Sequence, residues 1–121
     1  MDEVKLAVLV VEDEVLLRIA TAEILDDSGF LVHQAGSAEE ALRILAREPA
    51  IDVVFTDIDM PGILNGLDLA ARVINGEPDI AVLVTSGGST PPPELTVDFL
   101  PKPYDFDALP AQILALKPPR P

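Results

Sequence analysis

Two kinds of apolar pattern alternate along this chain, and the alternation leaves few folds open. Residues 6–11 (Leu-Ala-Val-Leu-Val-Val) form an unbroken, β-branched run, as expected of a strand covered on both faces. Val15, Leu16, Ile19, Ala20, Ala22 and Ile24 then recur at helical spacing until Ser28-Gly29 stops them. Residues 30–35 read as a short strand. Ser37 and Glu40 stand at capping-box spacing before a helix that buries Ala38, Ala41, Leu42 and Leu45 and ends at Pro49. Residues 51–56 are the next strand. A Pro-Gly-Asn-Gly loop over 61–66 leads into a helix with Leu67, Ala70, Ala71 and Ile74 on one side. Strands at 80–85 and 97–100 follow. Leu109, Ile113 and Leu116 mark a last helix, capped by Asp105 or Asp107, with Pro110 near its first turn, where a missing amide costs little.

Strands that alternate with helices imply βαβ units and a parallel sheet, and right-handed crossovers restrict how five strands can be ordered. One stretch interrupts the alternation. Between Gly87 and Thr96 the run Pro91-Pro92-Pro93 allows at most a short helix starting near Pro93.

The charged residues gain meaning from this layout. Glu12-Asp13, Asp57 and Lys102 each stand just past a strand-like run, and in an open parallel sheet such ends converge on one edge. Three carboxylates and one ammonium at one edge suit a Mg²⁺ site beside a nucleophilic aspartate. Asp57 is the candidate nucleophile, able to form an aspartyl phosphate. Asp13 and Asp57 are candidate metal ligands, and Glu12 can act through a bound water. Lys102 offers a point charge to phosphoryl oxygens and offsets carboxylate repulsion. Ser86 adds a hydroxyl at the end of the fourth strand, and Gly87 leaves room beside it.

Length and charge narrow the alternatives. The 121 residues suit one domain, within the usual range of roughly 100–200. A formal net charge of -13 opposes direct nucleic-acid binding, which demands clustered Lys and Arg, and docking on anionic membranes. Without cysteine there is no disulfide, thiol catalysis or Cys-based zinc site, which is compatible with a reducing cytosol. No apolar run approaches the ~20 residues of a spanning helix, and the acidic start is a poor signal peptide.

Over nearly its whole length the chain resembles the CheY-like receiver domain of response regulators in two-component signalling. The resemblance rests jointly on Val11-Glu12-Asp13-Glu14, Thr56-Asp57-Ile58-Asp59-Met60-Pro61-Gly62, Thr85-Ser86-Gly87 and Lys102-Pro103. It implies a flavodoxin-like, doubly wound α/β fold: a five-stranded parallel sheet in the order 2-1-3-4-5, spanning residues 1–117 and followed by a Pro-rich tail at 118–121. It further implies a phosphoacceptor rather than an enzyme, catalysing only its own phosphorylation and dephosphorylation. Asp57 would take the phosphoryl group from a phosphohistidine on a histidine kinase or histidine phosphotransfer protein. Mg²⁺ would be organised by Glu12 through water, by Asp13 and Asp57, and by the backbone carbonyl of Asp59. Lys102 and Ser86 would serve the phosphoryl group, Ser86 as the switch hydroxyl. Phe99, three residues before the lysine, would be the aromatic that swings inward. Lys102-Pro103 would be cis, the one context in which that isomer is accessible at low cost. The resemblance also implies a cytoplasmic protein.

The chain departs from the family in two places. The loop after Gly62 carries about one extra residue in Ile63-Leu64-Asn65. Only twelve residues, 87–98, separate Ser86 from Phe99, so the fourth helix is expected to be shortened or missing. That helix belongs to the surface through which receivers pass on their state. Output is therefore expected through protein–protein contact with an unidentified target, or the chain is a phosphate shuttle or sink; a homodimer stays open. Met1 close to the first strand favours a natural start over a receiver excised from a hybrid kinase.

Other readings compete at single positions. Asp57-Ile58-Asp59 also resembles the DxD nucleophile motif of haloacid-dehalogenase-type phosphatases. Against that rival, no acidic metal motif follows Lys102, and the length leaves no room for a cap. The Asp59 carboxylate is read as solvated, His33 as structural, and Tyr104 as either packing or part of the output face.

Overall fold

A computed structural model describes residues 5–116, in which strands and helices alternate except at one connection. The strands are β1 (Ala7–Val11), β2 (Leu31–Ala35), β3 (Val53–Asp57), β4 (Ala81–Ser86) and β5 (Asp98–Pro101). The helices are α1 (Val15–Asp27), α2 (Ala38–Arg47), α3 (Gly66–Gly76) and α4 (Leu109–Leu116). All neighbouring strands pair in parallel, in the order β2-β1-β3-β4-β5, as the resemblance implies. The proposed tail at 118–121 lies outside the described residues.

Strand parity splits the core into two layers, because successive side chains point to opposite faces. On one side Leu9, Val11, Val54, Val82 and Val84 meet Ala38, Ala41 and Ile44 of α2 and Leu69, Ala70 and Val73 of α3. On the other, Val8, Val10, Val53, Phe55 and Leu83 meet Leu25 of α1 and Leu109 and Ile113 of α4. The three central strands are thus covered on both faces, which is why they read as unbroken apolar runs. Each fully buried aliphatic or aromatic side chain contributes roughly 1.5–3 kcal/mol.

Local signals fix the element ends. Ser37 caps α2 by accepting the Glu40 amide at 3.1 Å. Glu40 reaches back one residue further than a capping box requires, to the amide of Gly36 at 2.6 Å. Asn65 caps α3, accepting from the amides of Leu67 and Asp68, while Asp68 returns to the Asn65 amide. Before α4 the Asp105 carboxylate takes the Asp107 amide at 2.9 Å, and Pro110 falls in the helix's first turn.

The one connection without a helix runs from β4 to β5, over residues 87–97, where the sequence predicts a shortened or missing one. A turn closes there from the Leu95 amide to the Pro92 carbonyl. Leu95, Val97 and Phe99, all partly buried, pack against the α2/α3 layer. A right-handed β4–β5 crossover lies on the same face as α3, so these side chains occupy the side where a crossover helix would lie.

Candidate functional site

Each charged side chain of the site is delivered by a strand end. β1 stops at Val11, and Glu12 continues the sheet bonding with its amide on the Ala35 carbonyl. Asp57 is the last residue of β3 rather than the first beyond it. Its Cα is in register with Thr85 of β4, and the next amide, of Ile58, still donates to Thr85. Lys102 follows β5, with its amide on the Ser86 carbonyl at 2.9 Å. The Lys102-Pro103 peptide bond is cis.

These ends bring the carboxylates of Glu12, Asp13 and Asp57 together, with one oxygen of each within 4.8 Å of the others. Glu12 and Asp57 are buried, while Asp13 is exposed. Lys102 Nζ stands between the two buried groups, 2.7 Å from Glu12 Oε1 and 2.9 Å from Asp57 Oδ2. The other Glu12 oxygen takes the Glu14 amide, and Asp57 Oδ1 takes the Asp59 amide at 3.1 Å. Every carboxylate oxygen has lone pairs to spare for a cation or phosphorus.

The electrostatics follow from one cation shared between buried anions. Burial pulls the Lys102 ammonium toward neutrality, but the bonds and charges of Glu12 and Asp57 outweigh it, and its pKa lies above the usual lysine value. Glu12 is pushed up, by burial first and also by the like charge of Asp57, against the lowering pull of Lys102 and the Glu14 amide. A second cation within this pocket therefore meets acidic groups that one lysine only partly compensates. The donor set, all carboxylate oxygen, suits a hard divalent ion such as Mg²⁺.

Two further residues are drawn in from the sheet edge. Ser86, buried at the end of β4, donates to Asp59 Oδ2 at 2.6 Å, and Ser89 donates to Asp59 Oδ1 at 3.0 Å. The Asp59 carboxylate is exposed, and these bonds also tie it to two serines. Phe99 stands apart from the charges. It is in register with Val84 and belongs to the apolar layer.

Three supporting residues escaped the sequence reading. Arg18 on α1 donates to the Glu12 carbonyl at 2.9 Å and to Gln34 on β2, which pins the acidic loop from beneath. Gly66, rather than Gly87, is where a side chain is forbidden. A Cβ there would overlap the Asp57 carbonyl oxygen, whereas one at Gly87 would meet the Lys102 Cβ at an ordinary 3.8 Å. Glu39 on α2 accepts the Leu64 amide at 3.2 Å and holds the loop with the extra residue. An Arg in the first helix and a Gly at a helix start carry no sequence signal of their own, since each acts through a distant backbone atom. Tyr104 is half-buried: its ring meets Phe55 edge-on at 5.4 Å and its hydroxyl lies 2.8 Å from that of Thr21. His33, on β2 and in register with Leu9, is remote from the charged edge.

The geometry defines a doubly wound α/β domain with an acidic, lysine-closed pocket at the carboxyl edge of its sheet. The family model for the response regulator receiver domain matches residues 8–114. The sensor kinase CckA of Brucella abortus (strain 2308) is 33% identical over 109 residues, covering 84% of this chain and 11% of that protein. The C4-dicarboxylate transport transcriptional regulatory protein DctD of Rhizobium meliloti (strain 1021) is 35% identical over 109 residues, covering 85% and 23%. A crystal structure of a response regulator receiver domain protein from Clostridium thermocellum superposes with a TM-score of 0.81 at 28% identity, covering 92% of this chain and 93% of the other. This chain belongs to the response regulator receiver family of two-component signalling proteins. It spans less than a quarter of the length of either curated relative. The haloacid-dehalogenase alternative is set aside, because the family match takes in its Asp57-Ile58-Asp59 motif and nearly all the described fold. Among the described residues no helix is long and apolar enough to cross a membrane.

Proposed function

We propose that this chain is a phosphoacceptor switch whose Asp57 takes a phosphoryl group from a phosphohistidine. The observation that carries the reading is the convergence of Glu12, Asp13 and Asp57 around one lysine. An Asp57 oxygen forms the new bond to phosphorus as the nitrogen–phosphorus bond breaks, and the electron pair of that bond stays on the imidazole nitrogen. Lys102, held protonated, faces the phosphoryl oxygens and is already within reach of the attacking carboxylate. Asp13 and Asp57, the backbone carbonyl of Asp59, and Glu12 through water would hold Mg²⁺. When bound, it neutralises charge on the transferring group. Arg18 keeps the Glu12 backbone in place for this work.

The donor is a histidine kinase or a histidine phosphotransfer protein, in keeping with relatives that include sensor kinases. Such a protein must approach the open mouth of the site. An apolar recess of ≈ 440 Å³, lined by Leu17, Gly87, Lys102, Pro103, Tyr104 and Phe106, opens there, and Leu16 just past the acidic loop is 80% exposed. Both can be buried by a protein donor. Once phosphorylated, Ser86 turns toward the new oxygens and Phe99 repacks, so the signal passes by protein–protein contact in the cytoplasm. Incubation with Mg²⁺ and acetyl phosphate, followed by intact mass measurement, tests the assignment. One base-labile phosphoryl adduct per chain is expected on the native protein, none on Asp57→Asn, and none when the metal is chelated. The same adduct on Asp57→Asn would remove Asp57 from the role.

A further inference from the structure

The hydroxyl proton of Ser86 is already committed. Ser86 Oγ donates to Asp59 Oδ2 at 2.6 Å and accepts from the amides of Gly88 and Ser89 at 3.1 and 2.9 Å. A hydroxyl has one proton and two lone pairs, so this one is saturated. The second Asp59 oxygen accepts the Ser89 hydroxyl at 3.0 Å. Asp59 also donates its own amide to Asp57 Oδ1 at 3.1 Å. One carboxylate, two positions beyond the phosphoacceptor, thus holds both the hydroxyl beside the site and the first turn of the helix-free connection 87–97.

We propose that Asp59 is a positioning residue, a latch that competes with the phosphoryl group on Asp57 for the Ser86 proton and, when displaced, releases residues 87–97 as the signalling element. The inference rests on the phosphoacceptor reading of Asp57. Charge and stoichiometry drive it in the same direction. An acyl phosphate carries about two negative charges where the free carboxylate carried one, and offers three strong acceptor oxygens. The Asp59 carboxylate is repelled, while Ser86 gains a stronger acceptor. Ser86 can donate only once, so its bond to the phosphoryl group replaces its bond to Asp59. Turning Oγ away also withdraws the acceptor that holds the Gly88 and Ser89 amides. Ser89 then loses its tie to Asp59 when that carboxylate moves. Several bonds at the start of 87–97 break together, leaving the partly buried Leu95 and Val97 as its hold on the body. No helix has to move for the state of the pocket to reach this surface.

Two measurements on the full chain test the latch. Asp59 is exposed, so Asp59→Ala is expected to fold. Hydrogen exchange across 87–97 should then be about tenfold faster in unphosphorylated Asp59→Ala than in the native protein, matching a loss of roughly one charge-assisted bond. The native protein should reach that rate only after labelling by acetyl phosphate and Mg²⁺. Native-like exchange in Asp59→Ala overturns the latch, and so does unchanged exchange in native protein that carries the adduct. Failure of the native chain to form any adduct instead overturns the phosphoacceptor reading. The second measurement separates competition for Ser86 from a general loosening. Asp59→Ala should raise the labelled fraction at fixed acetyl phosphate by a factor about tenfold larger with Ser86 present than in a Ser86→Ala background. Equal factors in the two backgrounds leave Asp59 with electrostatic repulsion alone and overturn the competition.

Discussion

The charged edge and the β4–β5 connection lie side by side but are built in opposite ways. Glu12, Asp57 and Lys102 are each delivered by a strand whose register is fixed by its pairing, and the amides of Glu12, Ile58 and Lys102 continue the pairing beyond the strand ends. Position there is over-determined. Residues 87–97 have no ladder and no helix, and their hold is a short turn, two partly buried side chains, the Gly88 and Ser89 amides on Ser86 Oγ and the Ser89 hydroxyl on Asp59. The difference separates two requirements of a switch. A chemical site needs atoms fixed within tenths of an ångström, whereas a signalling surface needs two arrangements of similar free energy. The part with few ties is the connection over 87–97, where no helix forms.

Breaking the fixed edge should give the largest effects. Lys102→Ala removes the one cation set between Glu12 and Asp57. Labelling by acetyl phosphate should slow about 10²-fold, the scale for losing one preorganised charge-stabilising donor; a rate within a fewfold of native would show that the lysine is structural. Gly66→Ala drives a Cβ into the Asp57 carbonyl, where backbone rather than a flexible side chain must yield. A loss of about 3 kcal/mol, at the upper end for overpacking, should appear in the urea midpoint, with labelling of the remaining folded protein also impaired.

The comparison sharpens when one substitution is made in both regions. Leu69 on α3 is fully buried, and Leu69→Ala should cost about 2–5 kcal/mol. Leu95 occupies the helix-free side of the same apolar layer but is only partly buried. Leu95→Ala should cost roughly 1 kcal/mol, in proportion to the smaller area lost. Equal urea midpoints for the two variants would mean that the connection is as firmly packed as the helix it lies beside.

The sequence exposed these two regions unequally, for physical reasons. Apolar runs such as 6–11 and 53–55 mark strands covered twice, so a parallel sheet and the position of Asp57 at a strand end were legible in the residues, while the strand order followed only from the family resemblance. That any helix over 87–97 is shortened or missing was legible from Pro91-Pro92-Pro93. What the segment does instead was not. Leu95 and Val97 only continue the alternation that leads into β5, and the Ser86–Asp59–Ser89 bonds join residues 27 and 30 positions apart. Asn65 and Asp68 form a capping box that their spacing allowed and that the Pro-Gly-Asn-Gly loop obscured. Arg18 and Gly66, both on helices, act on the backbone carbonyls of Glu12 and Asp57 at strand ends, and no local pattern encodes such a target.

The β3–α3 loop lies between the two extremes, and its anchor can be titrated. Gly62 there has a φ of 117°, a conformation that suits glycine. Glu39 reaches across from α2 to hold the loop. The Glu39 carboxylate accepts the Leu64 amide, and the nearby backbone amides, its own first and then that of Leu64, hold its pKa below the ordinary 4.5. A depressed carboxylate contributes stability that is fully present above its unfolded value and is lost as pH falls through the lower, folded value. The stability difference between native protein and Glu39→Gln should therefore be constant near neutrality. It should shrink only as pH drops below about 4.5, because protonation then leaves the native side chain as uncharged as the amide. Urea midpoints of the two proteins measured in parallel cancel the titration of every other carboxylate. The difference should be the smallest of those described, since Glu39 ties a loop rather than a strand. A difference that persists unchanged to pH 3 would mean that Glu39 acts through its shape, and that the loop owes its position to Gly62 and Leu64 alone.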